Sequence, residues 1–459
     1  MYVSLRNTPS TGREGMRPRR GAVPRTVLLL GFTSLFTDIS SEMITAILPI
    51  YLVLQLGLTP AQFGLVDGLY RGVSAVSRLG AGVLSDWLGR PKLVASVGYG
   101  LSAATRPLLL VASSVVAVAG LITADRIGKG IRTAPRDAMI ATASAPPDLG
   151  QNFGVHRAMD NVGAMLGPLV AFGVLWLLPG QFDAVFVVSA AFALVGLAVL
   201  VLLVPGRQGQ GRSAARPPTD AVDEPVAAGT GDAPLAGRGG VEEGPTGGSV
   251  TTDPAPARPR LTRADLAALV RSRTFVTRVG LAGLLTLFTV SDAFVFLALL
   301  DRDAGLARVF PLFAVGLALA YTLLAVPVGR LADRVGRMRV FLGGHVVLLV
   351  VYAIVGGPTG VVPAGIITLA LMGLFYAATD GVLAAAVSAT LPEVSRASGL
   401  SLAQTVVAAS GFASSVGFGL LLGWLGAGSA YLVMSLGLAL AIAVAATLLR
   451  RDTTGTVSA

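Results

Sequence analysis

The sequence predicts an all-α membrane protein in which twelve transmembrane helices form two pseudo-symmetric bundles of six. Composition is the first observation, because 53% of the 459 residues are hydrophobic and only 13% are charged. A soluble domain carries roughly 25% charged residues. The second observation is a series of apolar stretches of roughly 20 residues, the length that crosses a hydrocarbon core. The third is a set of motifs that occurs once in each half of the chain. Cysteine is absent, which excludes disulfides and thiolate metal sites.

Twelve stretches have the length and apolar character of membrane spans. The first six lie near 26–55, 60–84, 92–112, 115–140, 154–178 and 182–204, and the second six near 276–300, 308–331, 339–356, 361–386, 397–424 and 428–449. Many contain Gly and Ala, which let membrane helices approach closely. The stretches divide the chain into a basic tail (1–25), an N-terminal six-helix bundle (26–205), a linker (206–272), a C-terminal six-helix bundle (273–450) and a tail (451–459).

The linker differs in composition from everything around it. It is rich in Gly, Pro and charged residues and almost lacks aromatic residues, as in "GRGGVEEGPTGGSVTTDPAPARPR". Such a segment cannot bury a hydrophobic core, so we expect it to be mostly disordered. Its last part, "TRADLAALVRS" at 262–272, predicts a short surface helix.

The basic residues predict the orientation. The net charge is +10, and Arg and Lys concentrate in alternate loops, such as "GRPK" at 89–92 and 330–339, whereas "GGPTGVVP" at 356–363 carries no charge. Because basic loops stay inside, we expect both termini and the linker in the cytoplasm of a bacterial inner membrane protein. The loop "LDRDAGLAR" at 300–308 fits less well, since it should be external yet has two Arg balanced by two Asp. We do not expect the Arg-rich start to be a signal peptide, because a long span without a small-residue cleavage pattern follows it.

The two halves repeat. "GVLSDWLGRPK" at 82–92 recurs as "GRLADRVGRMR" at 329–339, and "PPDLGQNFG" at 146–154 has a counterpart in "LPEVSRASG" at 391–399. Asp38 of the first span likewise corresponds to Asp292 of the seventh. All three pairs are about 250 residues apart, which indicates a duplicated six-span unit and suits an alternating-access transporter.

The repeated motif resembles the signature between spans two and three of the major facilitator superfamily. The matching residues are Gly82, Asp86, Gly89, Arg90 and Lys92 in the first copy and Gly329, Asp333, Gly336, Arg337 and Arg339 in the second. The resemblance covers the chain except for the N-terminal tail and the linker, and Trp87 departs from it where the family has a basic residue. It implies the family fold and a cytoplasmic gate that breaks during opening. A purely topological role for the basic loops is the alternative. We expect Arg136, Asp137, Arg157 and Asp160 to meet near this gate.

A second motif bears on direction. In "GAMLGPLVAF" at 163–172, Gly163, Gly167 and Pro168 resemble the fifth-span motif of the family's proton-driven antiporters. Val170 and Ala171 stand where that motif has further glycines. The resemblance implies proton-coupled export. The alternative is a small-residue packing face with a proline kink. The fourth span, "DRIGKGIRTAPRDA", resembles a bacterial branch of the superfamily.

That fourth span carries the most unusual charges. Arg126, Lys129, Arg132 and Arg136 form one stripe of the helix, which should face the bundle interior because charge in a span is costly. Asp38 and Glu42 of the first span share a helix face, and Asp38 and Arg126 lie at similar depth, so these groups are expected partners. Arg71, four residues after Asp67, adds a further charge in the second span. Three interpretations stay open: structural ion pairing, proton coupling by Asp38 and Glu42 gated by Arg126, and binding of an anionic cargo.

The second half carries few intramembrane charges. Asp292 and Asp380 are its main candidates, and they predict a more apolar substrate wall there. We expect His345 to be packed within the ninth span and His156 to lie at the cytoplasmic surface. "DRIGKGIR" contains no phosphate-binding loop, so nucleotide binding is not expected.

These observations predict a monomeric secondary active transporter that moves a small molecule across the lipid bilayer by proton-coupled efflux. An organic-anion or metabolite symporter, and a transporter-like sensor or lipid flippase, are the alternatives. No recognisable set of catalytic residues occurs, and we expect no enzyme activity, cofactor, metal or nucleic-acid partner.

Overall fold

The computed structural model describes residues 22–88, 90–205, 271–357, 360–392 and 396–455. Within these ranges the regular structure is helical, and it confirms the predicted architecture of twelve spans. The expectations for the linker, for the helix at 262–272 and for most of both tails fall on residues outside the described ranges.

The first half contributes spans 1 to 6. They are Arg25–Ile50, Pro60–Leu88, Pro91–Leu108, Val115–Ala143, Leu149–Leu177 and Phe182–Ala198, and five-residue π-helical turns extend spans 1 and 6. Local sequence explains several starts. Spans 2 and 3 begin with a proline, which has no backbone N–H to leave unpaired in the first turn. Span 4 begins after Ser114, whose side chain accepts a hydrogen bond from the amide of Ala117.

The second half contains two departures from regular spans. Span 7 consists of two helices, Arg273–Leu287 and Asp292–Arg302, and spans 11 and 12 form one continuous element, Arg396–Gly455, that turns at Gly426. Spans 8, 9 and 10 are Phe310–Val335, Arg337–Gly356 and Val361–Ser388. Gly426 has φ 77°, a backbone conformation that glycine adopts at little cost. The sequence did not predict the break in span 7, where the Ser291 side chain caps the second helix.

Length and apolar composition alone identify nine candidate spans among the described residues. Spans 2 and 4 are absent from that set because charged residues interrupt them, and the last candidate runs through both span 11 and span 12. Buried partners in the other helices therefore have to accommodate the charges of spans 2 and 4.

The two halves meet mainly on one side of the molecule. We call the face at which span 1 begins the terminal face, and the other the opposite face. Spans 2 and 11 cross at Gly64 and Gly419, where a Cβ on either residue would collide with a backbone carbonyl oxygen of the other helix. Nearby, the ring of Phe294 packs edge to face against the rings of Phe63 and Phe418, with a centroid distance of 4.8 Å in each pair. These contacts lie toward the opposite face and close the interface there.

Candidate functional site

A cavity of ≈ 610 Å³ lies on the inner side of the second half, toward the terminal face. Spans 7, 9, 10 and 11 supply its wall, and Arg71 enters it from span 2. Uncharged polar side chains and aromatic rings line most of it, including Thr286, Thr289, Gln404, Phe341, Phe375 and Tyr376. Its volume falls in the range of small-molecule sites. Arg71 and Asp380 are its charged lining residues among the described part of the chain.

A second cavity of ≈ 270 Å³ lies between the halves toward the opposite face. Its wall is largely apolar, with Leu52, Phe296 and Phe310 among the lining residues. Arg71 and Tyr376 line both cavities, so these two side chains separate the larger cavity from the smaller one.

Arg71 is also part of the polar link between the halves. It forms an ion pair with Asp292 of span 7, and its Nε lies 3.3 Å from Asp67 Oδ2 one turn earlier in span 2. The Ser415 hydroxyl of span 11 donates a hydrogen bond of 2.6 Å to Asp67. One helical turn of span 2 therefore holds two spans of the other half. The break in span 7 places Asp292 in the first turn of its second helix, where the helix dipole favours a negative charge.

The basic stripe of span 4 forms a ladder of ion pairs within the first half. Each of its four basic residues contacts a carboxylate: Arg126 contacts Asp125, Lys129 lies 3.6 Å from Glu42, Arg132 lies 3.3 Å from Asp38, and Arg136 lies 3.6 Å from Asp160. We refer to these contacts as the charge ladder. The expected proximity of Asp38 and Glu42 to the stripe is correct, but the structure pairs them with Arg132 and Lys129 rather than with Arg126.

The pairs of the charge ladder differ in their access to water. In the Arg126–Asp125 pair both side chains are 6% exposed, and in the Arg132–Asp38 pair they are 3% and 15% exposed. The side chains of Lys129 and Glu42 are 34% and 24% exposed. The Lys129–Glu42 pair is therefore the one most open to exchange with water.

Asp125 is the centre of the most buried part of the ladder. Arg106 of span 3 donates a hydrogen bond of 2.9 Å to its Oδ1, while Arg126 contacts its Oδ2. The Arg126 guanidinium also stacks 4.1 Å above the ring of Tyr70 in span 2. Spans 2, 3 and 4 are thus tied together by a buried carboxylate and two guanidinium groups.

The cluster expected near the terminal face does form between spans 4 and 5. Arg136 lies 3.0 Å from Asp137, and Arg157 lies 3.4 Å from Asp160 and 3.8 Å from Asp137. The structure therefore confirms the contacts among these four residues, while their role in gating stays a prediction.

The prediction that His156 lies at the surface is wrong. His156 is completely buried, and its Nε2 lies 3.4 Å from Asp160. The reason is the packing of span 5 against span 1. Gly163 and Gly167 lie so close to span 1 that a Cβ on Gly167 would come within 2.8 Å of the Ile39 carbonyl oxygen. His156 lies one turn before Asp160 and two turns before Gly163, on the same face of span 5 as the two glycines. The spacing of these glycines could therefore have predicted that His156 is buried.

The two copies of the signature are described to different extents. Gly82 and Asp86 lie in span 2, but the Asp86 side chain and the whole of Gly89 are outside the described part of the structure. Arg90 is exposed, and Lys92 donates hydrogen bonds of 2.9 and 2.6 Å to the Val201 and Val204 carbonyls at the end of span 6.

In the second copy, Arg337 joins three helices. It lies 3.0 Å from Asp333 of span 8 and donates a hydrogen bond of 3.0 Å to the Ala385 carbonyl near the end of span 10. Gly336 separates spans 8 and 9 with φ 111°, a conformation that other residues rarely adopt. Gly329 lies in span 8 with open space around it, and Arg339 contacts the Val335 carbonyl.

Several residues of the site were not among the sequence candidates. Asp67, Tyr70 and Tyr376 line the cavities, and Ser415 holds Asp67. The spacing of Asp67 and Arg71 by one helical turn was a usable signal. Neutral or aromatic residues such as Tyr376 and Ser415 carry no such signal, because most residues of this kind in membrane helices only pack.

His345 is packed within span 9 as expected. It is 2% exposed, its Nδ1 lies 2.9 Å from the Phe341 carbonyl, and its ring contacts Phe341 and Phe375 edge to face. Within the described ranges, no group of three or more His, Cys, Asp and Glu side chains is arranged to hold a metal ion.

Comparison with known sequences identifies one family. The profile described as Major Facilitator Superfamily matches residues 30–318 and 279–458. The chain is 37% identical over 173 residues to an uncharacterised MFS-type transporter of Methanocaldococcus jannaschii, a match that covers 38% of this chain and 43% of the relative. It is 34% identical over 151 residues to an uncharacterised protein of Mycobacterium tuberculosis, covering 33% of this chain and 37% of the relative. The chain thus matches less than half the length of these relatives.

Comparison with solved structures shows the same fold at low sequence identity. The nucleoside transporter NupG superimposes with a TM-score of 0.68 and 14% identity, covering 93% of this chain and 99% of the other. A POT family transporter in complex with a thioalcohol-conjugated peptide gives 0.67 and 13%, covering 94% and 96%. A bacterial homologue of the human lysosomal transporter Spinster, in an inward-facing and unoccupied conformation, gives 0.63 and 14%, covering 95% of each chain.

Proposed function

The chain belongs to the major facilitator superfamily of membrane transporters, and from that premise we propose that it is a secondary active transporter that moves a small molecule by alternating access. One observation carries the proposal. The halves are in contact toward the opposite face, through spans 2, 7 and 11, and a ≈ 610 Å³ cavity, lined by the second half and by Arg71 of the first, lies toward the terminal face. Alternating access needs a cavity that is open to one side while contacts between the halves close the other.

We propose further that the terminal face is cytoplasmic, in a bacterial inner membrane protein with both termini inside. The alternation of basic loops supports this orientation. The structure then represents a state whose cavity faces the cytoplasm. The contacts of Arg71 with Asp292 and of Asp67 with Ser415 must break when the cavity opens to the outside. We also propose that one chain is sufficient for transport, since both halves that enclose the cavity belong to it.

The charges of the site support a cationic or neutral cargo over an anion. The basic residues of the charge ladder are occupied by carboxylates of their own half. Among the described residues, the two cavities together are lined by three carboxylates, those of Asp67, Asp292 and Asp380, and by one guanidinium, that of Arg71. An anion entering this space would meet an excess of negative charge, which weakens the organic-anion alternative.

We propose that the Glu42–Lys129 pair couples transport to protons. Buried carboxylates that lose a cationic partner bind protons more tightly, so a pair that separates during the transport cycle can take up and release a proton. Glu42 fits this role because it is the more exposed carboxylate of the ladder and lies next to the close contact of span 5 with span 1. Asp38 and Arg132 form the deeper, more enclosed pair. The resemblance of "GAMLGPLVAF" at 163–172 to the antiporter motif supports efflux driven by proton entry.

The test uses purified protein in liposomes that contain a pH-sensitive dye. Organic cations, neutral polar compounds and organic anions are added in turn, and proton movement that depends on the compound is recorded. Exchange of a cation or neutral compound for protons is expected, and Glu42→Gln should abolish the proton signal while compound-dependent binding remains.

Three results would go against this proposal. Co-movement of protons with anions would favour the symporter alternative. Movement of lipid between leaflets without any soluble cargo would favour a flippase. Unchanged proton exchange in Glu42→Gln would remove Glu42 from the coupling step. Asp148→Asn, which changes a carboxylate in the short loop between spans 4 and 5, is the matched control.

A further inference from the structure

The wall of the larger cavity combines a carboxylate with a row of aromatic rings. Asp380 of span 10 lines the cavity and is exposed to it. Within the described ranges it takes part in none of the ion pairs, unlike Asp67 and Asp292. An ionisable group inside a membrane span is a costly arrangement, and such groups generally mark a functional site.

The aromatic row continues from span 9 to span 10. The rings of Phe341 and His345 are 4.8 Å apart, those of His345 and Phe375 are 5.4 Å apart, and those of Phe375 and Tyr376 are 5.2 Å apart. All four residues line the same cavity as Asp380. Tyr376 also lies one helical turn before Asp380, on the same face of span 10. Aromatic faces attract organic cations through their quadrupole, and a carboxylate supplies the opposite charge.

We propose that the larger cavity binds an organic cation, with Asp380 as its charge partner and Tyr376, backed by the buried rings of Phe341, His345 and Phe375, as the aromatic surface for its apolar part. This proposal rests on the transport function above and names the cargo class. Arg71 does not offset Asp380, because Asp67 and Asp292 already neutralise its charge. A metal ion fits the site poorly, since hard metal ions take six or more oxygen ligands and Asp380 is one carboxylate among neutral side chains.

The probe is tetraphenylphosphonium, a monocation with aromatic rings, compared with triphenylphosphine oxide, which has similar rings and no net charge. Saturable binding of each compound to the purified full chain is measured separately. We expect the wild-type chain to prefer the cation. Asp380→Asn should weaken cation binding by about tenfold to a hundredfold, the range for loss of one charged contact, and leave binding of the neutral compound unchanged.

Three variants make the result specific. Asp380→Glu keeps the charge and should keep most of the affinity for the cation. Gln404→Lys, at an exposed position of the same cavity, adds a positive charge without touching Asp380 and should also weaken cation binding. It keeps the test decisive if Asp380→Asn does not fold. Asp183→Asn removes an exposed carboxylate at the start of span 6 and should have no effect.

Equal affinity of the wild-type chain and Asp380→Asn for tetraphenylphosphonium would overturn the proposal, as would a wild-type preference for the neutral compound. The binding measurement needs no transport. If binding depends on Asp380 but the chain moves no compound across the liposome membrane, the transport function alone is refuted. If the chain moves a compound but binding does not depend on Asp380, the cation site alone is refuted.

Discussion

The link between Arg71 and Asp292 makes a quantitative prediction about the balance between transporter states. Asp292→Asn removes the carboxylate that Arg71 meets in the described part of the other half, while Asp67 remains 3.3 Å from Arg71. Two unit charges at contact interact by about 4 kcal/mol in a partly exposed site. Both side chains are 31% exposed, so water screening reduces this value to about 1–1.5 kcal/mol. That free energy corresponds to about a tenfold change in the ratio of the two states.

The assay is thiol labelling of a single introduced cysteine. The native chain has no cysteine, so Ala314→Cys, in the smaller cavity toward the opposite face, gives a signal without background. A membrane-impermeant reagent added from outside should label Ala314→Cys about ten times faster when Asp292→Asn is also present, because the closed interface opens more often. In an Arg71→Gln background, the Asp292 substitution should add no further increase, because its partner is already gone.

Asp183→Asn serves as the control, since it changes an exposed carboxylate away from the interface. An unchanged labelling rate in folded Asp292→Asn protein would refute the reasoning, and it would mean that the ion pair contributes equally to both states. An equal increase in the control would show that the effect is one of net charge.

Three further predictions concern packing and buried charge. Gly64→Ala should also speed labelling of Ala314→Cys, because the added methyl group collides with span 11, whereas Gly100→Ala, with open space around it, should not. Asp125→Asn should lower the free energy of unfolding by about 3–5 kcal/mol, measured by denaturation in detergent, because two buried guanidinium groups lose their shared partner. Asp137 is more exposed, so Asp137→Asn should lower the free energy of unfolding by less than half as much. His156→Leu should keep or raise the melting temperature, because the buried imidazole has no hydrogen-bond partner within the described residues; a clear drop would indicate that its contact with Asp160 is stabilising.

Most of the fold followed from the sequence because the physical constraint is strong. A span must be long enough to cross the bilayer and must pair its backbone groups internally, so the apolar stretches predicted twelve helices. The break in span 7 escaped prediction, since Thr289, Val290 and Ser291 are compatible with a membrane helix. Only the capping potential of Ser291 before Asp292 pointed to a new helix start.

The site was predicted less completely, for a different reason. Helix periodicity placed the four basic residues of span 4 on one stripe. It also identified Asp38 and Glu42, on one face of span 1, as carboxylates that could pair with this stripe. It could not assign partners, because pairing depends on how far the helices slide along each other. A displacement of one helical turn, about 5.4 Å, changes the acid of span 1 that Arg132 meets. The contacts across the halves, such as Asp67 with Ser415, depend in addition on the conformational state.

The uneven distribution of charge between the halves has a consequence for evolution. In the first half, the charge ladder ties several helices together, so a substitution at one of its residues leaves a buried charge without a partner and threatens folding. The cavity wall of the second half consists largely of neutral side chains such as Thr286, Thr289 and Gln404, each of which can change without stranding a charge. We therefore expect substitutions to be tolerated more readily in the cavity wall of the second half than in the charge ladder of the first.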